Sequence, residues 1–204
     1  VDPENGDPLW YKDEKDANEN PTGRRITTND YGSADYYYVN KSSLPKVYGG
    51  FNTSLSWKGF DLSAIFAYSI GGYIYNRDVT MILHNGSLEG RDWSTEILRR
   101  WTPDNRYTDV PALSTTSNNW NSASTRFLQN NSYMRLKNLT LSYNLPKQWI
   151  SKLSLSSVQV YVQGDNLFTI HRNQGLDPEQ GITGITYYRY PAMRTISGGI
   201  NVSF

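Results

Sequence analysis

The residues of this chain with chemistry to offer are two histidines, one Asp/Asn-rich run and a group of tryptophans and tyrosines outside any regular pattern. His84 and His171 fall in loop segments separated by two expected strands. No nucleophile, base and stabiliser gather around them, so they read as solvated loop residues rather than a catalytic or metal pair. The chain has no G-x-S-x-G, P-loop or zinc-helix pattern. Zero cysteines exclude a thiolate metal site, a cysteine nucleophile and a disulfide scaffold. The residues therefore describe no enzyme.

Asp16-Ala17-Asn18-Glu19-Asn20 copies the first three ligand positions of a calcium loop, with Asp16, Asn18 and Asn20 as the ligands. Pro21 replaces the glycine of the sharp turn, and Thr27 stands where the bidentate glutamate belongs, and both changes weaken such a site. Calcium is the only cofactor this pattern admits. Trp93, Trp101, Trp120, Tyr187, Tyr188 and Tyr190 lie outside the expected strands. There their faces can stack on sugar rings or meet peptide side chains, or equally pack loops against one another or against a partner.

The elements that must position these residues carry a period-two signal. Val47 to Trp57 sets Phe51, Leu55 and Trp57 against Asn52, Ser54 and Ser56. Phe60 to Ile70 sets Phe60, Leu62, Ala64, Phe66, Tyr68 and Ile70 against Asp61, Ser63 and Ser69. Tyr133 to Leu145, Ser157 to Phe168 and Arg194 to Phe204 repeat the pattern, the last with Ile196, Ile200, Val202 and Phe204 on one parity. These lengths suit a tilted membrane strand of about 9 to 11 residues. Residues 1–46 show no strand pattern and read as a loop, and Asp92 to Trp101 reads as a helix ended by Pro103.

Connections alternate in length. Lys58-Gly59 is a two-residue hairpin turn and Pro146 to Ser156 is modest, whereas Gly71 to Ser132 and Thr169 to Met193 are long and polar. Outer-membrane barrels have short periplasmic turns and long extracellular loops, which places residues 1–46 outside and residues 47–204 in the barrel wall. Trp57, Phe60 and Tyr143 then stand near the inner turns as an aromatic girdle. Arg135 and Lys137 share the lipid-facing parity of their strand at its outer end, where long cationic side chains reach the headgroups.

Composition supports strands over membrane helices: 37% hydrophobic and 14% aromatic residues, with no run near the roughly 18 apolar residues a helix needs. The net charge of +1, without a basic stripe, argues against a nucleic-acid partner. The fold expected is all-β, the last five antiparallel strands of a large transmembrane β-barrel with long extracellular loops. Five strands leave two unpaired edges, which lipid does not tolerate, so an N-terminal remainder of the same barrel is the first partner expected.

Several stretches carry a family resemblance. They include Gly6-Asp7-Pro8-Leu9-Trp10-Tyr11, Pro45-Lys46-Val47-Tyr48-Gly49-Gly50-Phe51 and Trp57-Lys58-Gly59-Phe60-Asp61-Leu62-Ser63. Further along come Arg100-Trp101-Thr102-Pro103-Asp104-Asn105, Tyr133-Met134-Arg135-Leu136-Lys137-Asn138, Gly164-Asp165-Asn166-Leu167-Phe168-Thr169 and Gly175-Leu176-Asp177-Pro178-Glu179. In this order they resemble the C-terminal portion of SusC/RagA-type TonB-dependent outer-membrane receptors. That resemblance implies residence in the outer membrane of a Gram-negative bacterium and import of oligosaccharides or peptides. It also implies a SusD-like surface lipoprotein as lid, and coupling to the TonB complex through an upstream plug and TonB box. By similarity to outer-membrane proteins generally, Phe204 marks the strand for barrel assembly. A passive porin and a soluble carbohydrate-binding β-sandwich are the alternatives that share the alternation.

Overall fold

The computed structural model describes residues 1–86, 88–114, 119–173, 175, 177–179 and 181–204, with Leu153 described by its backbone alone. In chain order the strands are β1 (Trp10–Lys15), β2 (Pro21–Thr28), β3 (Val47–Trp57), β4 (Phe60–Ile70), β5 (Tyr73–Tyr75), β6 (Leu128–Asn130), β7 (Tyr133–Asn144), β8 (Ser157–His171) and β9 (Thr195–Ser203). Two short helices, α1 (Arg77–Ile82) and α2 (Lys147–Ile150), complete the regular structure with a few 3-10 turns. Among the described residues no helix is long and apolar enough to cross a membrane. The chain divides into two compact units, residues 1–40 with 75–128 and residues 41–74 with 129–204.

The second unit holds a five-stranded antiparallel meander in the order β3-β4-β7-β8-β9. Its first hairpin is set by Lys58 and Gly59, which both take positive φ, 46° and 88°, as a two-residue turn matched to strand twist requires. From that turn the ladder runs unbroken, from Trp57↔Phe60 through Phe51↔Phe66 to Val47↔Ile70. This register puts the two apolar parities on one face. Phe51 stacks on Phe66 with centroids 4.7 Å apart, and Phe60 leans on Tyr143 at 4.5 Å. Such cross-strand pairs each add a fraction of a kcal/mol, about 0.2–1, to the sheet. The apolar face continues through Leu141, Val162 and Ile200 to Phe204, and these four side chains are exposed.

The opposite face is polar and internally bonded. Asn144 donates to Asp61, Gln159 to Ser142 at 3.2 Å and Asn201 to Gln159 at 3.2 Å, so amide and hydroxyl groups link neighbouring strands across the sheet. Asn138 adds a donor to Asp165 at 2.8 Å. Turn connections lie at one end, at Lys58-Gly59 and through α2 into Ser156, and the long loops lie at the other.

The strand β7 departs from the sequence reading. Register with β4 passes from Ile65↔Asn138 to Phe66↔Leu136, leaving Lys137 unpaired as a bulge. On the other side Leu136 pairs with Phe168 and Asn138 with Asp165, so Lys137 faces Asn166 and Leu167, and Asn166 takes a φ of 51°. An extra residue reverses parity. Below the bulge Leu139, Leu141 and Tyr143 lie on the apolar face; above it Met134 and Leu136 do. Arg135 therefore turns to the polar face, and the expected lipid-side placement of Arg135 and Lys137 is corrected.

The first unit differs more. Residues 1–46, expected to be loop throughout, contain the β1–β2 hairpin, with Trp10 opposite Thr28 and Asp13 opposite Arg25. Both faces of that hairpin are polar, so it gives no period-two contrast. The expected helix from Asp92 to Trp101 is reduced to a 3-10 turn, Thr95–Arg99, capped by Ser94. Backbone bonds from Ser94 to Ile82 at 2.7 Å and from Trp101 to Val110 at 2.8 Å pull both ends into other segments.

Candidate functional site

On the polar face, at the long-loop end of the sheet, Arg135 is 3% exposed and bonded through all three of its nitrogens. Its Nε donates to Thr169 Oγ1 at 2.8 Å, its Nη1 to Glu179 at 2.8 Å and its Nη2 to Asp177 at 2.6 Å. Lys137 Nζ reaches both Glu179 oxygens, at 2.6 and 2.7 Å. Thr169 is its cross-strand neighbour on β8, so two strands and a loop converge on one guanidinium. The guanidinium's planar fork, which aims separate donors at Thr169, Glu179 and Asp177 at once, explains why arginine stands here.

Asp177 closes the loop that Arg135 holds. One oxygen accepts from Arg135 and from the Glu179 N–H, and the other accepts from the Ala192 N–H at 2.7 Å. Burial pushes this carboxyl up, but the Glu179 and Ala192 amides and the Arg135 guanidinium together hold it below the ordinary carboxylate range. Asn131 donates to the Pro178 carbonyl at 2.8 Å and accepts from Asn173 at 3.0 Å, which fixes the same segment to the chain entering β7. Of the Gly175-to-Glu179 stretch, Leu176 lies outside the described residues. The remainder acts as a strap. Neither Arg135 nor the two carboxylates stood out in the sequence as a unit. The signal available was two cations beside one another in a strand and two acids flanking a proline.

Beneath the strap lies a cleft of ≈ 350 Å³. Tyr48, Ser69 and Tyr133 form one cross-strand row of its floor, and Pro45, Pro178 and Ile182 contribute to its walls.

The six loop aromatics separate into two groups. In the first unit Trp120, 2% exposed, is buried with Leu83, Ile97 and Val110, and the Arg126 guanidinium lies 5.4 Å from its ring centre. Trp101 donates to the Pro3 carbonyl at 3.1 Å, and Trp93 donates to His84 Nδ1 at 3.2 Å. These tryptophans hold loop segments together, Trp120 from within the core. In the second unit Tyr187, Tyr188 and Tyr190 stay exposed, Tyr190 at 97%.

His84 corrects the reading of a solvated loop residue: it is 1% exposed, and its Nδ1 accepts from both Trp93 and the Gly86 N–H. His171 is the last residue of β8 rather than a loop residue, with Nδ1 2.9 Å from the Asn173 carbonyl. Asp16, Asn18 and Asn20 lie on the β1–β2 turn. There Asp16 Oδ1 accepts the backbone N–H groups of Asn18 and Asn20 at 2.8 and 2.9 Å. Those two bonds hold the Asp16 carboxyl below its usual range. The contacts seen are those of a hydrogen-bonded turn.

No family model matches the chain. It is 34% identical over 166 residues to TonB-dependent receptor P3 of Formosa agariphila, a match covering 76% of the chain and 16% of that protein. It is 27% identical over 168 residues to TonB-dependent receptor SusC of Bacteroides thetaiotaomicron, covering 82% of the chain and 16% of that protein. The solved structure of the RagAB peptide transporter covers 100% of this chain with 22% of its own, at a TM-score of 0.82 and 34% identity. The chain thus spans about a sixth of the length of the curated relatives it matches. With its two-faced sheet and unequal loops, the chain belongs to the SusC/RagA family of TonB-dependent outer-membrane receptors, contributing five antiparallel strands of the transmembrane β-barrel.

Proposed function

We propose that these strands are part of the wall of a TonB-dependent importer of oligosaccharides or peptides, with the polar face lining the lumen and the long loops outside the cell. The observation that carries this reading is the two-faced sheet. Its apolar face runs exposed across five strands, which fits lipid, while its other face is hydrogen-bonded and polar, which fits a solute pathway. The RagAB relative is a peptide transporter, which supports import of a solute.

The remaining partners follow from the same reading. Open edges at β3 and β9 pair with the rest of the barrel, because lipid leaves no other partner for their backbone groups. Residues 1–46 are extracellular. Tyr187, Tyr188 and Tyr190 project from the strapped loop and meet a SusD-like lipoprotein lid or the solute it delivers. TonB engages an upstream segment.

The test is uptake of labelled oligosaccharides and peptides by cells carrying the full-length receptor, with and without functional TonB. Uptake that needs TonB and a co-purifying surface lipoprotein is the result expected. Equal uptake in the TonB-deficient strain would make the protein a passive porin.

A further inference from the structure

The turn end of the sheet sets exposed aromatic rings beside cations that lack counter-ions. Trp57, Phe60 and Tyr143 stand in one row of β3, β4 and β7 on the apolar face, with Trp57 64% and Phe60 44% exposed. Just beyond them Lys58 turns the chain, and its Nζ lies 5.0 Å from the Trp57 ring centre. That contact keeps the ammonium beside the apolar face. Turn geometry does not ask for lysine: a positive φ at the first position of a two-residue hairpin favours Asn, Asp or Gly, yet Lys58 sits there at 46°. A residue placed against the local preference points to a task outside the turn.

The second connection lies against the first. The Asn144 N–H donates to the Gly59 carbonyl at 2.8 Å, and a Cβ on Gly59 would come 3.1 Å from the Asn144 carbonyl oxygen, so the turn is packed on the end of β7. The stretch from β7 to β8 is tied at both ends, by the Leu145 N–H on the Val158 carbonyl at 2.9 Å and the Ser156 N–H on the Ser203 carbonyl at 2.8 Å. Ile150, 4% exposed, anchors its middle. From this platform Trp149 is 63% exposed, and Lys147 and Lys152 are exposed as well. Trp149 and Lys152, three residues apart where α2 runs on into a 3-10 turn, share a side.

Charge at this end is one-sided. No Asp or Glu occurs within residues 47–60, 138–164 or 195–204. Among the described residues Lys58, Lys147 and Lys152 form no ion pair. The carboxylate of Asp61 belongs to the polar face, where Ser56 and Asn144 donate to its two oxygens. Indole rings settle at headgroup depth, and lysine ammonium groups reach the phosphates there. An anionic headgroup matches the uncompensated charge, whereas a zwitterionic one brings a cation of its own. Pairing of a further strand along β3 uses that strand's in-plane backbone groups and leaves the turn and the face of the sheet open.

We propose that Lys58, Lys147 and Lys152, with Trp57 and Trp149, form a binding site for anionic glycerophospholipid headgroups in the leaflet that meets the short turns. The inference rests on the barrel-wall reading above and adds a lipid partner to it.

The experiment places the full-length receptor in nanodiscs of equal phosphatidylglycerol and phosphatidylcholine, extracts it into mild detergent and counts the retained phospholipid by mass spectrometry. A lysine near an anionic surface is worth about fivefold in affinity, so the wild type should retain phosphatidylglycerol at least about fivefold over phosphatidylcholine. Lys58→Gln, Lys147→Gln and Lys152→Gln together should remove most of that preference, and the same three positions changed to Arg should keep it. Lys12→Gln with Lys15→Gln, on the β1–β2 hairpin, should leave it intact. Heat-shifted gel migration confirms that each variant is a folded barrel; where the triple variant is not, the three single Gln variants replace it, each losing part of the preference. Equal retention of the two lipids by the wild type, or a preference that the Gln variants leave unchanged, would overturn the proposal. A receptor that enters the bilayer without lipid preference leaves the barrel-wall reading standing, whereas failure to enter it would overturn both.

Discussion

Arg135 and Asp177 are separated by 42 residues and joined at 2.6 Å, Nη2 to Oδ1, with both side chains out of solvent. This contact exists because Lys137 is a bulge: without the extra residue Arg135 would face the apolar side of the sheet, and Asp177 would lose its cation. A one-residue irregularity in a strand thus decides where the ends of a 16-residue stretch, Asp177 and Ala192, are moored.

Removing the guanidinium leaves Asp177 buried without its cation. Arg135→Met should therefore cost about 3–5 kcal/mol locally, as breaking one side of a buried pair does. The effect should appear as faster tryptic cleavage after Arg189, with the heat stability of the barrel much less affected. Lys137→Met, which leaves Arg135 in place on a more exposed carboxylate, should change cleavage only slightly.

The strap has a defined response to pH. The Asp177 carboxyl is held below its unfolded value of about 3.9, so its contribution is complete above that value and is lost as pH falls through the lower, folded one. Hydrogen exchange at the Glu179 and Ala192 amides should stay protected, after correction for intrinsic rate, from pH 7 to about 5. Protection should fail only below the ordinary carboxylate range. In Asp177→Asn it should already be weak at pH 7.

Adjacent residues of β8 should answer oppositely to the same substitution. Val162 lies on the apolar face and Gln163 on the polar one. Val162→Arg should cost about 2–4 kcal/mol, the value for a cation facing mid-bilayer lipid, while Gln163→Arg should insert nearly as wild type. The folded fraction on a heat-shift gel after refolding into vesicles measures both.

At the β1–β2 turn the Asp16 carboxylate holds two backbone amides. Asp16→Ala should open the hairpin to trypsin at Lys15 and Arg24, and calcium added to wild type should leave that cleavage unchanged. Calcium-dependent protection would restore the ion-binding reading of Asp16, Asn18 and Asn20.

Where burial is one-sided, the sequence was legible. The five barrel strands lie within a few residues of their period-two segments, and the Lys58-Gly59 turn is as expected, because an apolar face against lipid leaves its mark on every second residue. The β1–β2 hairpin left no such mark, since Lys12, Glu14, Arg25 and Thr27 show polar groups on both faces. The Lys137 bulge was hidden because Leu136 and Leu139 are both apolar, so the reversal between them preserves an oily look. Burial of His84 and Trp120 depends on segments far apart in sequence, and no local pattern records it.

The most direct test is a cysteine scan of residues 133–143 in the full-length receptor, freed of any other cysteine and assembled in membranes. A water-soluble maleimide should label Asn138, Thr140 and Ser142 when each is replaced by cysteine, and likewise Tyr133 and Arg135, odd positions in place of even ones above Lys137. Lipid-borne quenchers should reach labels at Met134, Leu136, Leu139 and Leu141. An alternation running unbroken through Lys137, with Arg135 reporting lipid, would contradict the bulge, the strap and the lumen face built on them.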